Sequence, residues 1–286
     1  ALHLVPGFRM EVVRTAAGTP ETGVTDPSTA VIPLPGGAVL VRPEPWLDVF
    51  VGVHRGFSPV SPGSPAETLP ETAVNYEAGV RAAPGETHAE VVGFFSDYAN
   101  VNGACTLSGG CAPDQVDQQF NGGAASVYGL ESLLAHKVHL PGGIALEGEL
   151  SYTLTETRFR TGFVSEFPQF GTIEAGDSMP YVPTHQGAAR LTAVGDRASL
   201  GVGANARGAM RDIAGQDEIP PASAIPAALL LDVAGSVRLG EGVSLYGTMT
   251  NVADAVVLES WQPFGARPAA PLQGMIGVKG ALPSEE

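Results

Sequence analysis

The sequence lacks the long apolar runs of a helical membrane protein and the basic clusters of a nucleic-acid-binding protein. Although 44% of its residues are hydrophobic, no window approaches the roughly 18 uninterrupted apolar residues of a transmembrane helix. Lysine and arginine total 15 against 30 aspartate and glutamate residues, which gives a net charge of −15. Nucleic-acid binding needs clustered basic residues, so we expect no nucleic-acid partner.

Cysteine is equally scarce. The two cysteines of the chain, Cys105 and Cys111, lie six positions apart in a polar, Gly-rich segment. An oxidising compartment would favour a disulfide between them, and two unpaired thiols are the alternative. A zinc site is disfavoured, because no histidine lies nearby and the spacing is not one that zinc sites use.

Short stretches of β-branched and aromatic residues separated by Gly and Pro predict an all-β fold. We predict twelve strands, at residues 2–13, 30–42, 46–58, 72–83, 87–98, 122–138, 144–160, 181–193, 198–211, 225–238, 243–252 and 272–282. Long and short connections alternate strictly between them. The long ones are 14–29, 59–71, 99–121, 161–180, 212–224 and 253–271. This asymmetry is typical of an antiparallel transmembrane β-barrel, which carries loops on one end and turns on the other.

Residues also alternate within the strands, as the third strand shows. Leu47, Val49 and Val51 share one face, and Asp48 and His54 share the other. A membrane barrel has lipid on its apolar outside and water inside, whereas a soluble barrel would reverse the two faces. Several predicted strands exceed the roughly 9–11 residues that span a bilayer, whereas soluble strands average about 5–6. Strand length therefore favours the membrane barrel.

Three segments carry motifs that are specific in combination. Residues 46–82 contain Gly-Phe-Ser-Pro and then Pro-Glu-Thr-x-x-Asn-Tyr-Glu-x-Gly. Residues 89–131 contain Gly-Phe-Phe-x-x-Tyr, the cysteine pair, Phe-Asn-Gly-Gly and Val-Tyr-Gly-Leu-Glu, and residues 251–271 contain Asn-x-x-Asp and Gly-Ala-Arg-Pro. Together these segments resemble the C-terminal part of the barrel of TonB-dependent outer-membrane receptors, in particular the ferric dicitrate type of siderophore receptor.

The resemblance implies a receptor in the bacterial outer membrane that takes up a ferric chelate, a siderophore or iron dicitrate, with energy from the TonB system. Such receptors have a barrel of about 22 strands filled by an N-terminal plug. We therefore expect residues 1–286 to be the C-terminal barrel portion, with the plug, the energy-coupling segment and about ten strands absent from this chain. Its other contact would be outer-membrane lipid, and neither catalysis nor a cofactor is expected.

Basic residues at the predicted strand ends are the candidate ligand contacts. The predicted loops are acidic, so cations at the mouth of the barrel would have to attract an anionic iron chelate. The candidates are Arg55, Arg158, Arg160 and Arg211. Arg158 and Arg160 also break the apolar alternation of their strand, as residues above the membrane would. The six histidines are scattered, and no metal site is expected.

A self-contained twelve-strand outer-membrane barrel, acting as a pore or as a lipid-face hydrolase, is the alternative. Ser132 and His136 lie on one face of a predicted strand. Residues four apart on a strand are about 13 Å apart, which is too far for a hydrogen bond between nucleophile and base.

We predict that Cys105 and Cys111 form a disulfide in the exported protein, because an exported fold matures in an oxidising compartment. Mass spectrometry of peptides prepared without reductant should find the two cysteines cross-linked. Recovery of both as free thiols would refute the pairing.

Overall fold

The computed structural model describes residues 1–19, 23–61, 64, 68–104, 119–165, 171–240, 242–261 and 265–280. Most of them lie in strands that are joined by turns and loops, with a short 3₁₀ turn at Pro221–Ser223. The described residues contain no helix that is long and apolar enough to cross a membrane.

Twelve strands form one antiparallel sheet in which each strand is hydrogen-bonded to the next one along the chain. They are β1 (Leu2–Thr19), β2 (Gly23–Glu44), β3 (Leu47–Ser58), β4 (Glu71–Ala82), β5 (Thr87–Ala99), β6 (Ala125–Leu140), β7 (Ile144–Phe159), β8 (His185–Val194), β9 (Ala198–Arg207), β10 (Ala228–Gly240), β11 (Val243–Thr250) and β12 (Gln273–Gly280). This order confirms the twelve strands and the all-β fold that the sequence predicts.

The connections fall into two groups at opposite ends of the sheet. Short turns follow β2, β4, β6, β8 and β10 at what we call the turn end. The long connections after β3, β5, β7, β9 and β11 lie at the other end, which we call the loop end. Positive φ angles of 60° at Gly85 and 86° at Gly142 allow two of the short turns to reverse tightly. The predicted division into a loop end and a turn end is therefore confirmed.

The predicted loop at 14–29 is wrong. β1 and β2 continue as a paired ribbon up to the pair Thr19 and Gly23, with a register shift between Thr15 and Ala17. The segment contains five threonines, and threonine favours strands. The hairpin aligns the two halves of this segment, so they continue the hydrogen-bonded pairing of β1 with β2. The polar composition of the segment had predicted a loop.

Directly opposite residues of antiparallel neighbours project from the same face of a sheet, so the register assigns each strand residue to a face. One row of opposite residues contains Val41, Val49, Val80 and Val91. We call the face that carries this row the apolar face and the opposite one the polar face. Large side chains of the apolar face remain accessible, and Val51 is 53% exposed. Such a surface is stable against lipid, as the sequence alternation predicts.

The polar face carries a ladder of charges near the turn end. Arg42 makes a bidentate pair with Asp48, with Nε–Oδ1 and Nη2–Oδ2 distances of 2.6 and 2.8 Å. Arg81 makes a second one with Glu90, at 2.8 and 2.9 Å. Asp48 lies directly opposite Arg81 in the sheet, so the signs alternate across β2 to β5. Bidentate pairing neutralises each charge while leaving this wall hydrophilic.

Three aromatic rings of the polar face cover a glycine that lies directly opposite on the next strand. The pairs are Phe50 with Gly79, Phe94 with Gly129, and Tyr246 with Gly277. A Cβ atom added at Gly79 would lie 2.6 Å from Cζ of Phe50 and 2.8 Å from the carbonyl oxygen of Val91. The ring therefore occupies the space of the missing side chain, which compensates the strand for its glycine.

The sheet is open along its two edges. β1 and β12 each pair with one neighbour within the described residues, on β2 and β11 respectively. The free edge of β1 is 18 residues long. In lipid, each unsatisfied backbone group costs several kcal/mol.

Replacing Gly79 with alanine should destabilise the sheet by about 1–3 kcal/mol, because the new methyl group overlaps both a ring and a main-chain carbonyl. Urea unfolding of the complete gene product in lipid vesicles measures the loss. Gly52→Ala on β3 is the matched control, since its nearest neighbour would be Cβ of Ala38 at 3.7 Å. Equal unfolding midpoints for the two variants would contradict this account.

Candidate functional site

A row of aromatic residues lies near the loop end of the apolar face. Tyr76, Phe95 and Tyr128 lie directly opposite one another on β4, β5 and β6. Their ring centroids are 6.2 and 6.3 Å apart. Aromatic girdles occupy the boundary between hydrocarbon and water in membrane barrels. The row therefore indicates where the apolar band of the barrel ends.

The next row towards the loop end is charged. It consists of Arg55, Val74, Asp97, Ser126 and Arg158, each directly opposite the next on β3 to β7. We call it the outer row, because it lies on the apolar face but beyond the aromatic row. Charges on the lipid side are costly within the hydrocarbon, and the cost falls towards its edges. The outer row therefore lies in the interfacial layer.

The four candidate arginines do not gather into one site. Arg55 and Arg158 belong to the outer row, and Arg160 joins it through an ion pair with Asp97. Arg211 is buried among the loops, where its guanidinium donates to the carbonyl oxygen of Asp217. Arg55, Arg158 and Arg160 thus lie on the side of the apolar face, and Arg211 stabilises its own loop. Their role as ligand contacts stays a prediction.

The long loops carry small two-stranded ribbons above the sheet. Each ribbon is antiparallel and continues the direction of the strands that it joins. The ribbons are Asn102–Ala104 with Gln119–Asn121, Phe163–Val164 with Thr172–Ile173, Met210–Arg211 with Ala224–Ile225, and Leu258–Ser260 with Arg267–Pro268.

Hydrogen bonds join the loop after β3 to the loop after β5, and that loop to the end of β7. The side-chain amide of Asn121 bonds both main-chain groups of Leu69, with N–Oδ1 and Nδ2–O distances of 2.9 and 3.0 Å. The amide of Ala124 donates to Oγ1 of Thr161 at 2.8 Å. Because each of these bonds crosses from one loop to another, the three segments support one another.

The remaining loops are joined in the same way. The amide of Ser178 donates to the carbonyl oxygen of Gly215 at 2.9 Å, which joins the loops after β7 and β9. Nε1 of Trp261 donates to the carbonyl oxygen of Ala224 at 3.0 Å, which joins the loops after β9 and β11. The five loops from β3 to β12 thus form one hydrogen-bonded collar at the loop end.

A small apolar core lies beneath this collar. Ala125, Phe159 and Ile173 are buried together, and Phe163 meets Phe159 edge-on at a centroid distance of 5.4 Å. Ala125 and Phe159 are opposite residues of the polar face. Ile173 comes from the loop after β7, so this loop folds over the polar face at its loop end.

Asn251 organises the last loop from a buried position. Its side-chain amide donates to the carbonyl oxygens of Ala255 and Ala270 at 2.9 and 3.1 Å, and its Oδ1 accepts from the amide of Ala255 at 2.9 Å. Its own amide donates to Oδ1 of Asp232 at 2.9 Å. The first residue of the Asn-x-x-Asp motif therefore joins both ends of the loop to the sheet.

The polar face carries an elongated cavity that we call the polar trough. It has a volume of about 470 Å³ and lies across β7 to β11. The floor is made of small residues on neighbouring strands: Ala188, Gly201, Gly203 and Ala234. The charged and amide side chains at its walls are Glu149, Arg190, Asn205 and Asp232. A second cavity of about 400 Å³ shares Ala188 and Asn205 with it and extends to Arg207 and Glu259.

The charged groups of the polar trough differ in how they are held. Asp232 accepts from Nδ2 of Asn205 at 3.2 Å in addition to the amide of Asn251. Arg190 lies directly opposite Glu149 on one side and Gly203 on the other. Within the described part of the chain its guanidinium has no ion pair or hydrogen bond. Arg190 is exposed, so the trough can offer its charge to a bound anion.

Sequence reasoning missed the residues of the polar trough. Gly201 and Gly203 fall within the predicted strand at 198–211, and the structure places both in β9. The available signal was that glycine and alanine recur on the polar side of three successive strands. The alignment of those strands, which brings the small residues together, comes only from the register.

The alternative hydrolase pair is not assembled. Oγ of Ser132 donates to the carbonyl oxygen of Tyr152 at 3.3 Å. Nδ1 of His136 is paired with Oγ1 of Thr87 at 2.9 Å. Each side chain thus satisfies its polar group locally on the apolar face, and the two do not meet.

Cys105 and Cys111 lie outside the described residues. Their disulfide stays a prediction.

Asn251→Ala should loosen the loop after β11, because two carbonyl groups and one amide of the loop lose their partner. The expected cost is about 1–3 kcal/mol. Limited proteolysis of the complete gene product should then cleave within 252–272 several-fold faster than in the wild type. Asn205→Ala, which removes an exposed amide from the sheet, is the control. Equal cleavage rates for the two variants would contradict the anchoring role.

A family model described as "TonB dependent receptor-like, beta-barrel" matches residues 1–252. No match was found among curated protein sequences. Among solved structures the ferric citrate transporter FecA is 17% identical with a TM-score of 0.72, and the alignment covers 97% of this chain and 42% of FecA. The ferric-catecholate import receptor Fiu from E. coli K12 is 16% identical with a TM-score of 0.66, covering 98% and 42%. The copper transporter OprC is 13% identical with a TM-score of 0.68, covering 98% and 45%.

The chain spans less than half the length of these structures, and at such identities the likeness concerns the fold alone. The family match extends over most of the chain. It agrees with the twelve-stranded sheet, with the aromatic row and with the long connections gathered at the loop end. Barrels of this family are outer-membrane proteins, and the family consists of receptors and transporters. The chain belongs to the TonB-dependent receptors, whose β-barrels lie in the outer membrane.

Proposed function

We propose that the protein is an outer-membrane receptor that takes up a ferric chelate of the siderophore or iron dicitrate kind. Membership of the TonB-dependent receptors supports uptake, and the ferric citrate transporter and the ferric-catecholate receptor among the similar structures support an iron chelate. The copper transporter has the same fold. The choice of cargo therefore depends on the chemistry of the polar face.

The polar trough is the observation that carries the proposal. Ferric siderophores and ferric citrate are hydrophilic and many are anionic. The surface along which they pass must therefore be hydrated and must carry cations. Arg190 offers such a cation above a floor of glycine and alanine. Glu149 and Asp232 outnumber Arg190 in the lining of the trough, so an anion held at Arg190 binds weakly enough to move on.

We further propose that the twelve strands form the C-terminal wall of a larger barrel. The free edges of β1 and β12 need partners in lipid, and the similar structures are more than twice as long as this chain. Contact with the TonB system would then be made by a region outside residues 1–286.

Uptake of labelled ferric citrate and of a ferric catecholate by cells lacking their own receptors tests the proposal. Cells that make the complete gene product should accumulate at least one of the two chelates, and removal of TonB should abolish accumulation. Arg190→Gln should lower uptake several-fold, whereas Arg238→Gln, near the turn end of β10, should not. Absence of energy-dependent uptake of either chelate by cells with folded receptor in the outer membrane would contradict the proposal.

Residues 1–286 made alone should give no energy-dependent uptake in the same cells, because the TonB contact and the remaining wall would be missing. The measurement is the same accumulation assay with this chain as the only receptor. Accumulation that depends on TonB would refute the assignment to one wall of a larger barrel.

A further inference from the structure

We propose that the outer row is a binding site for the phosphate groups of anionic lipids in the leaflet at the loop end. The site consists of Arg55 on β3 and Arg158 on β7, both in the outer row, and of Arg160, which follows β7 and joins the row through its ion pair with Asp97. The proposal concerns the outside of the barrel and is independent of the polar trough.

The position of the row selects the ligand. The aromatic row of Tyr76, Phe95 and Tyr128 lies two residues nearer the turn end on each strand and marks the edge of the hydrocarbon. The outer row lies on the same face beyond that edge, at the level of the lipid headgroups. Anionic headgroups at that level attract arginine and lysine. Cargo on the polar face would be on the other side of the sheet.

The spacing suits more than one phosphate. Arg158 and Arg160 are two residues apart on one side of the chain, which corresponds to about 6.5 Å along a strand. Arg55 lies four strand spacings from Arg158, or about 19 Å across the sheet. Arginine presents a planar fork of donors that matches phosphate oxygens. Arg158 and Arg160 can thus share one headgroup while Arg55 binds another.

The charge of the row is unusual for this chain. Three of its 15 basic residues lie here, whereas the chain as a whole has a net charge of −15. Asp97 pairs with Arg160, and Glu156 lies opposite Tyr128 in the aromatic row. Three positive and two negative groups leave the patch with a net charge of +1. Acidic residues on the outside of the barrel would repel anionic lipids. A cationic patch at the level of the headgroups attracts them instead.

Two of the guanidinium groups are available to a ligand. Nε of Arg158 donates to the hydroxyl of Tyr128 at 3.3 Å, which orients the group at the interface, and no other described residue accepts from its remaining donors. Arg55 has no ion pair or hydrogen bond to another described residue. Arg160 is held by Asp97 and by the carbonyl oxygen of Tyr98, at 3.2 Å from its Nη2. That anchoring fixes it beside Arg158.

Native mass spectrometry of the complete gene product tests the site. The protein is placed in nanodiscs of phosphatidylcholine with or without phosphatidylglycerol, and the lipids that remain bound after release are counted. The wild type should retain phosphatidylglycerol over phosphatidylcholine, and Arg158→Gln with Arg160→Gln should lower this retention at least three-fold. Arg158→Lys with Arg160→Lys should keep most of it, because charge is preserved. This second variant separates loss of the site from loss of the fold.

Arg190→Gln on the polar face is the matched control and should retain lipid as the wild type does. Equal retention by the glutamine double variant and the wild type would overturn the proposal, and so would an equal loss in Arg190→Gln. Millimolar inorganic phosphate should leave the bound lipid in place. Displacement of the lipid by free phosphate would mean that the arginines bind a soluble anion, which would also overturn it. Iron uptake does not enter this readout, so the site and the proposed function fail separately.

Discussion

A lipid bilayer offers no partner for a backbone N–H or C=O group, and this constraint governs the structure. The chain meets it with an antiparallel sheet in which each of twelve strands pairs with its neighbours in sequence. Because the ladder fixes the register, it also fixes which side chains meet lipid and which meet water. Within the described residues the outer edges of β1 and β12 have no partner strand, and this is the physical reason for proposing that the sheet belongs to a larger barrel.

The same register explains how two chemistries coexist on one sheet. On the apolar face it aligns valines, then an aromatic row, then the charged outer row, in the order of increasing polarity across a membrane boundary. On the polar face it brings glycines and alanines of neighbouring strands together and so opens the polar trough. At the loop end, bonds between loops replace bonds between strands, and Asn251 and the cluster around Phe159 hold the collar against the sheet.

Much of this fold could be predicted from the sequence, because a period of two and the position of Gly and Pro report directly on strands and turns. The twelve strands, their order and the two ends of the sheet follow from that pattern. The extension of β1 and β2 could not be predicted, since its polar residues resemble a loop until pairing is known. The sequence could name Arg55 and Arg158 as candidates but could not group them. They are 103 positions apart, and only the register places them in one row.

The central claim is that the apolar face meets lipid and the polar face lines a wet interior. Spin labels placed one at a time at 149–154 on β7 of the membrane-embedded receptor test it most directly. The account predicts that labels at Leu150, Tyr152 and Leu154 are accessible to oxygen dissolved in the bilayer. Labels at Glu149, Ser151 and Thr153 should instead be accessible to a water-soluble nickel reagent. The reverse pattern, or the absence of any alternation, would contradict the account.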